Sequence, residues 1–236
     1  MKLTDSKIII ALDFSDPSLA WNFIDQLDHS MCRLKIGKEM FTLLGPSFVE
    51  KIIKKGFDVF LDLKYHDIPN TVARASEVCA EMGVWMINLH CIGGRKMMEH
   101  TMNHLGKRIH RPLVTGVTLL TSLDLPQMNE LGIKGSTDDF VSNMSSLAAS
   151  CGLDGVVCSP IEAPRLRNEH ENKFLLITPG IRPTLSDKND QSRTMTPSEA
   201  ISAGADFLVI GRPITQANNP RKALEDIFTE INQNSN

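Results

Sequence analysis

The chain has 236 residues, of which 42% are hydrophobic and 22% are charged, and its formal net charge at neutral pH is −3. This balance is typical of a globular protein with one large core and differs from the strongly basic composition of most nucleic-acid binders. The basic pairs Lys54-Lys55 and Arg95-Lys96 are too short and too isolated to form a polyanion-binding face, so we expect no nucleic-acid partner.

The N-terminal sequence predicts neither a secretory signal nor a membrane anchor. The isoleucine run Ile8–Ile10 reaches Asp13 too early to be a signal-peptide core, and no later apolar stretch approaches the length that spans a bilayer. The five cysteines are scattered and show no C-x-x-C spacing, which indicates reduced core thiols and neither a disulfide framework nor a zinc site. We therefore expect a cytoplasmic protein without membrane association.

Short apolar segments recur along the chain, and each is followed by a polar or Gly/Pro turn and then by a helical pattern. Helix starts are marked by Asp16-Pro17 and by Thr196–Glu199, and Gly56 closes a predicted helix over Pro46–Lys55. The eight predicted strands are, in chain order, Lys7–Asp13, Arg33–Gly37, Asp58–Lys64, Trp85–His90, Leu113–Leu119, Gly155–Cys158, Phe174–Thr178 and Phe207–Ile210.

Strands that are apolar on both faces and alternate with helices predict a parallel sheet. Eight strand–helix units in a chain of this length favour an α/β fold of the closed (β/α)8 TIM-barrel type, and an open doubly wound sheet is the alternative. No change of composition and no linker divides the chain, so we expect a single domain over residues 1–236. The polar stretch Leu185–Arg193, after the seventh strand, is the best candidate for a mobile loop.

In such a barrel the carboxyl ends of all strands meet at one face, where enzymes of this architecture place their sites. A single pair of charged residues at a strand end is more often a structural ion pair than a site. Here four strand ends each bring an ionisable group to the same face, which favours a catalytic site over a structural ion pair. The polar positions at these ends are Asp13, Lys35, Asp62, Lys64, Asp67, Thr118, Thr121, Ser122, Pro179–Arg182 and Gly211-Arg212.

The stretch DLKYHDIPNT, residues 62–71, carries two carboxylates and an ammonium directly after an apolar run. Side chains two apart on a strand point the same way, so Asp62 and Lys64 are expected to face the barrel axis together. Asp62 and Asp67 would keep the Lys64 ammonium charged, and Lys35 on the adjacent strand would complete an array of alternating sign. An array of this kind is costly to desolvate, which indicates that it has a function.

Two further segments predict a phosphate site. VIGRPIT places Gly211 and Arg212 at the end of the eighth strand, where the free N–H groups of a helix start and a guanidinium suit a phosphate. TPGIRP, at the end of the seventh strand, adds Arg182 as a second planar cation. His90 is expected to be a hydrogen-bonded histidine at the barrel mouth, because no partner histidine lies at metal-ligand spacing, and His66 is left without a role.

The segments IIALDF, LKIGKEMF, DLKYHDIPNT, VTLLTS, LDGVVCS, LITPGIRP, DQSRTMTPSEAI and ADFLVIGRPIT occur in this order over nearly the whole chain. Together they resemble the orotidine 5'-phosphate decarboxylase family, particularly its bacterial form. The resemblance implies a homodimeric (β/α)8 barrel that converts orotidine 5'-monophosphate to uridine 5'-monophosphate and carbon dioxide, the last step of pyrimidine synthesis. It also implies that the reaction uses no cofactor and no metal.

The resemblance implies a role for each matching residue. Lys64 is expected to protonate C6, Asp62 to face the leaving carboxylate, and Lys35 and Asp67 to complete a charged tetrad. Asp67 and Thr71 are expected to reach into the site of the partner subunit. The further substrate contacts are Asp13 and Lys35 to the ribose, Thr121 and Ser122 to the pyrimidine edge, Gln191 between base and phosphate, and Ile68, Pro179, Arg182, Gly211 and Arg212 elsewhere on the nucleotide.

Two alternatives stay open at this point. Sugar-phosphate decarboxylases and aldolases of the same superfamily share a D-x-K motif but need magnesium, and they carry a Glu where this chain has Lys35, whose ammonium would repel the metal. A non-catalytic protein that binds nucleotide phosphates would keep Arg182 and Arg212. It would have little reason to retain Lys64 between two carboxylates.

Overall fold

The computed structural model describes residues 5–170, 172–183 and 195–233. Eight parallel strands pair in chain order, and β1 pairs with β8, so the sheet closes into a barrel and the predicted (β/α)8 architecture is confirmed. The strands are β1 (Ile8–Ala11), β2 (Arg33–Gly37), β3 (Val59–Tyr65), β4 (Met86–His90), β5 (Leu113–Val117), β6 (Gly155–Val157), β7 (Leu175–Pro179) and β8 (Phe207–Ile210).

The helices surround the barrel. They are α1 (Pro17–Ile24), α2 (Lys38–Leu44), α3 (Pro46–Lys54), α4 (Pro69–Glu81), α5 (Arg95–Leu105), α6 (Leu125–Glu130), α7 (Thr137–Ser150), α8 (Ala163–Glu169), α9 (Pro197–Ser202), α10 (Arg212–Thr215) and α11 (Pro220–Gln233), with a 3-10 helix at Cys91–Gly93. Within the described ranges, no helix combines the length and the apolar character needed to cross a membrane.

The predicted strands overlap all eight observed ones, and they differ mainly at their ends. The predicted first and fifth strands extend two residues beyond the ends of β1 and β5, to Asp13 and Leu119. Leu119 and Asp13 both line the cavity at the barrel mouth, so these residues leave the sheet to form the site.

Local sequence signals determine where the helices begin. The Asp16 side chain accepts a hydrogen bond from the Ser18 backbone N–H at 2.7 Å, and Pro17 opens α1. Thr196 and Glu199 form a reciprocal capping box at the start of α9. These caps satisfy N–H groups that the first helical turn leaves unpaired, and they fix the point at which each helix leaves the loop before it.

The apolar core has two parts, separated by the barrel wall. The larger part lies between the strands and the helices and includes the buried side chains of Met97 and Met98. All five cysteines are buried and free, which agrees with their prediction as core thiols. The smaller part fills the barrel interior and consists of Ile9, Ala11, Phe60, Met86, Ile177 and Val209.

Arg33 lies inside the amino-terminal end of the barrel. Its guanidinium carbon is 4.4 Å from the centre of the Trp85 ring and 5.0 Å from the centre of the Phe207 ring. Its Nε lies 3.3 Å from Asp58 Oδ2, and its Nη1 donates a hydrogen bond to the Ser6 carbonyl. A carboxylate and two aromatic faces therefore compensate a buried cation at the end of the barrel that is opposite the predicted site.

We expect Arg33→Ala to destabilise the fold strongly. The substitution leaves Asp58 without its cation and removes two cation–π contacts, so the free energy of unfolding should fall by about 3 kcal/mol or more. Arg221→Ala is the matched control, because it breaks an exposed ion pair with Glu225 at 3.0 Å on α11 and should have a far smaller effect. Urea unfolding followed by tryptophan fluorescence measures both variants. Equal losses would contradict the stabilising role of Arg33.

Candidate active site

The carboxyl ends of the strands surround a cavity of about 500 Å³. The barrel interior contributes apolar lining to it, including Phe60, Val157 and Val209. The structure also brings together most of the predicted site residues in this lining, namely Asp13, Lys35, Asp62, Lys64, Thr121, Pro179, Arg182, Gly211 and Arg212.

One side of the cavity holds a carboxylate between two ammonium groups. Asp62 Oδ1 lies 2.5 Å from Lys64 Nζ, and Asp62 Oδ2 lies 3.1 Å from Lys35 Nζ. Lys35 Nζ in turn lies 3.5 Å from Asp13 Oδ1. The charges along Asp13, Lys35, Asp62 and Lys64 therefore alternate in sign, as the sequence predicted for three of these four residues.

The two central residues of the array are largely removed from solvent, since only 11% of the Lys35 side chain and 11% of the Asp62 side chain are exposed, whereas 26% of Lys64 and 64% of Asp13 are exposed. Burial alone would lower the pKa of Lys35, but the carboxylates of Asp62 and Asp13 outweigh it and raise that pKa. Burial would likewise raise the pKa of Asp62, but Lys35 and Lys64 lower it to about 2. Both groups are thus charged at neutral pH.

Strand β3 reaches this arrangement through an irregularity that the sequence did not predict. Its pairing with β4 shifts between Leu61 and Tyr65, and Lys64 has a φ of 53°, the only positive φ outside glycine in the described ranges. A residue other than glycine in this region costs about 1–2 kcal/mol. The prediction that Asp62 and Lys64 face the same cavity is correct, although the regular alternation used to derive it does not hold.

Asn88 of β4 lines the cavity and is a site residue that the sequence reasoning missed. Its Nδ2 donates to Asp62 Oδ1 at 2.7 Å, and its Oδ1 accepts a hydrogen bond from the Lys64 backbone N–H at 2.8 Å. A signal was present in the segment MINLH, where one amide interrupts the apolar run of a buried strand two residues before its end. Buried amides need hydrogen-bond partners, and the partners here are two predicted site residues.

Two guanidinium groups line the part of the cavity formed by β7 and β8. Arg182 follows β7 and is mostly buried, and Arg212 is the first residue of α10, directly after β8. In the strand order of the barrel, β7 lies four strands from β3 and so across the cavity from Asp62 and Lys64. The site therefore has a second cationic region, suited to an anion, at a distance from the charged array.

Four predicted residues do not line the cavity of this chain. Asp67, Ile68 and Thr71 are exposed at and just before the start of α4, and Ser122 is exposed in the loop after β5. Asp67 Oδ1 accepts a hydrogen bond from the Ile68 backbone N–H at 2.6 Å. Within a single chain, the second carboxylate of the array is thus Asp13, which lies beside Lys35, whereas the sequence led us to expect Asp67 beside Lys64.

The remaining expectations concern a loop and two histidines. The predicted loop Leu185–Arg193, with Gln191, lies outside the described residues. The ring of His90 packs against that of His66, with 5.5 Å between the centroids, and burial and the neighbouring positive charges lower the pKa of His90. In the part of the chain that the structure describes, no group of three or more His, Cys, Asp or Glu side chains could hold a metal ion.

Known proteins resemble this chain over nearly its full length. Two orotidine 5'-phosphate decarboxylases, from Hydrogenovibrio crunogenus and Psychromonas ingrahamii, are 53% and 54% identical to it over 227 residues, which cover 96% of this chain and 96% and 97% of theirs. The crystal structure of orotidine 5'-phosphate decarboxylase from Lactobacillus acidophilus superimposes with a TM-score of 0.86 at 33% identity, covering 96% of this chain and 99% of that one.

A sequence profile of the orotidine 5'-phosphate decarboxylase / HUMPS family matches residues 6–227. The matched range includes all eight strands of the barrel and all the described residues that line the cavity. The chain therefore belongs to the orotidine 5'-phosphate decarboxylase / HUMPS family.

Proposed function

We propose that the chain catalyses the decarboxylation of orotidine 5'-monophosphate to uridine 5'-monophosphate and carbon dioxide, as a single barrel domain over residues 1–236. The observation that carries the proposal is the buried Asp62 carboxylate, held between the ammonium groups of Lys35 and Lys64 inside the cavity. The names of the relatives at 53% and 54% identity support the same activity. A cavity of about 500 Å³ is also of a size that suits a nucleotide.

The chemistry of the reaction calls for a fixed positive charge. Loss of carbon dioxide from C6 leaves an electron pair in an sp2 orbital in the plane of the ring, and the π-system cannot delocalise it. The Lys64 ammonium, held by Asp62 at 2.5 Å, stabilises the negative charge that develops at C6 and then donates the proton that completes the product. Because the ammonium is in place before the reaction begins, little reorganisation is needed.

Asp62 acts on the bound substrate as well as on Lys64. It is ionised at neutral pH, and in the proposed complex it faces the carboxylate that the substrate will lose. Two carboxylates side by side repel each other, and the repulsion declines as carbon dioxide departs. The interaction therefore raises the energy of the bound substrate more than that of the transition state.

The other predicted residues hold the rest of the nucleotide. Arg182 and Arg212 lie on the β7–β8 side, across the cavity from Lys64, a separation that suits a nucleotide with its base at one end and its phosphate at the other. In this proposal Asp13 and Lys35 bind the ribose hydroxyls, Thr121 and Ser122 contact the pyrimidine edge, and Pro179, Arg182, Gln191, Gly211 and Arg212 contact base and phosphate.

The magnesium-dependent alternative is not favoured. Lys35 Nζ lies 3.1 Å from one carboxylate oxygen of Asp62 and 3.5 Å from one of Asp13. A cation of the chain thus already occupies the position between these carboxylates, and it would repel a divalent ion. A non-catalytic protein that only binds nucleotide phosphates would have no use for a desolvated charged array of this kind.

We further propose that the enzyme is a homodimer and that Asp67 and Thr71 complete the site of the partner subunit. Both residues lie within seven positions of Lys64, yet both are exposed in the single chain and neither lines its cavity. Between them in sequence, Ile68 is a large apolar side chain with 67% of its surface exposed. A second copy of the chain would cover this segment and place Asp67 beside the neighbouring Lys64.

Lys64→Ala should abolish decarboxylation. The variant loses both the preorganised cation and the proton donor, so kcat/KM should fall at least about 10⁴-fold. The rate is measured from the loss of ultraviolet absorption of orotidine 5'-monophosphate. Lys54→Ala, which removes an exposed lysine of α3, is the control and should retain the wild-type rate. The proposed function is rejected if the wild-type protein shows no turnover, and the role of Lys64 is rejected if the variant retains it.

Arg212→Ala should lower kcat/KM by about 10²-fold although Arg212 touches no reacting atom, because the phosphate loses a charged hydrogen-bond donor. Orotidine, which lacks the phosphate, provides the control substrate. Wild type and variant should turn it over with similar kcat/KM. If the variant loses the same factor on both substrates, Arg212 does not act through the phosphate.

Coexpression of Lys64→Ala and Asp67→Ala chains tests the shared site. Each variant alone should be nearly inactive. In a mixed dimer, one site combines an intact Lys64 from one chain with an intact Asp67 from the other, so random assembly should restore about one quarter of the wild-type activity. A coexpressed sample no more active than its two parents would show that Asp67 does not act across the interface.

A further inference from the structure

We propose that Asn88 is a positioning residue, which holds the Lys64 backbone in its left-handed conformation and thereby directs the Lys64 ammonium toward the reacting carbon. This inference rests on the proposed function and extends it to a residue that acts through Lys64. It is carried by the geometry of strands β3 and β4 around a single buried amide.

The Lys64 backbone cannot be held by regular strand pairing. From Leu61 to Tyr65 the β3 strand advances four residues, while its partner on β4 advances two, from Ile87 to Leu89. Asp62, Leu63 and Lys64 of β3 therefore all lie opposite a single residue of β4, Asn88. In a regular ladder a backbone carbonyl of β4 would accept the Lys64 N–H, but here the acceptor is the Asn88 side chain, at 2.8 Å.

The same amide is also linked to the ammonium end of Lys64, through the carboxylate of Asp62. Asn88 Nδ2 donates to Asp62 Oδ1 at 2.7 Å, and this is the oxygen that lies 2.5 Å from Lys64 Nζ. The contacts close a ring that runs from the Lys64 backbone through Asn88 and Asp62 back to the Lys64 ammonium. Backbone and ammonium are thus fixed relative to each other, as a preorganised catalytic cation requires.

Only one orientation of the Asn88 side-chain amide allows both of its hydrogen bonds, to the Lys64 backbone and to Asp62. Asn88 is 1% exposed, so water cannot replace a lost partner. Turning the amide over would set its NH2 group against the Lys64 N–H and its oxygen against the Asp62 carboxylate, and both contacts would be repulsive. A leucine has the same branched shape and the same number of heavy side-chain atoms, although it is larger, and it has neither hydrogen-bonding group, so it is the informative replacement.

Asn88→Leu should lower kcat for orotidine 5'-monophosphate by about 10²-fold, because a displacement of about 1 Å in a reacting group has an effect of this size. The affinity for uridine 5'-monophosphate, measured by calorimetry, should change less than about threefold, since the ribose and phosphate contacts are untouched. A purely structural role would instead weaken binding and catalysis together.

Thr115→Val is the matched control. Thr115 lies opposite Asn88 on the next strand, is fully buried, and donates a hydrogen bond to the Ile87 carbonyl at 3.2 Å. The variant removes a buried hydrogen bond beside Asn88 without altering a contact of Lys64. It should lose thermal stability and keep the wild-type kcat. If Asn88→Leu has the same kcat as Thr115→Val, or loses nucleotide affinity as much as kcat, the inference is overturned.

A crystal structure of Asn88→Leu supplies a readout that does not depend on turnover. Lys64 should leave its positive φ, and Lys64 Nζ should move away from Asp62; an unchanged Lys64 would overturn the inference. If the leucine variant does not fold, Asn88→Ser, whose shorter side chain cannot bridge the two partners, takes its place with the same expected results. Absence of turnover by the wild type would reject the proposed function, whereas the conformation of Lys64 in the variant still decides the role of Asn88.

Discussion

The site depends on one interaction, the desolvated carboxylate of Asp62 between the ammonium groups of Lys35 and Lys64. A charge buried alone would be strongly destabilising, and Lys35 and Asp62 stay ionised because their neighbours have the opposite sign. The barrel supplies the geometry, since β2 and β3 are adjacent and in register, with Lys35 opposite Phe60 and Gly37 opposite Asp62. Closure of the sheet fixes this register, and the charges are therefore in place before any ligand arrives.

The two cationic regions of the cavity have different tasks in the proposed reaction. Lys64 acts on the carbon that changes, while Arg182 and Arg212 hold a group that does not react. Binding energy gained at the second region can be used to hold the substrate's carboxylate near Asp62, against electrostatic repulsion. This division explains why a reaction at one carbon needs a cavity that is lined from β1 around to β8.

The strands and the charged residues that line the cavity could be predicted from the sequence, because apolar runs end in polar residues and a parallel barrel brings those ends to one face. The φ of Lys64 could not be predicted, since a shift in strand pairing leaves no pattern in the residues of β3. Asn88 was missed because a lone amide in an apolar strand resembles an ordinary hydrogen-bonded core residue. The exposure of Asp67 depends on how the chain enters α4, and its proposed role depends on a second subunit, which periodicity cannot reveal.

Arg33, stacked on Trp85 and Phe207 and paired with Asp58, lies at the end of the barrel that takes no part in the chemistry. The stabilising contacts of Arg33 are thus at the amino-terminal end of the barrel, and the strained backbone of Lys64 is at the carboxyl-terminal end. Over evolutionary time, residues around the barrel mouth can change to bind other phosphorylated ligands without losing the stability that the Arg33 contacts contribute at the opposite end.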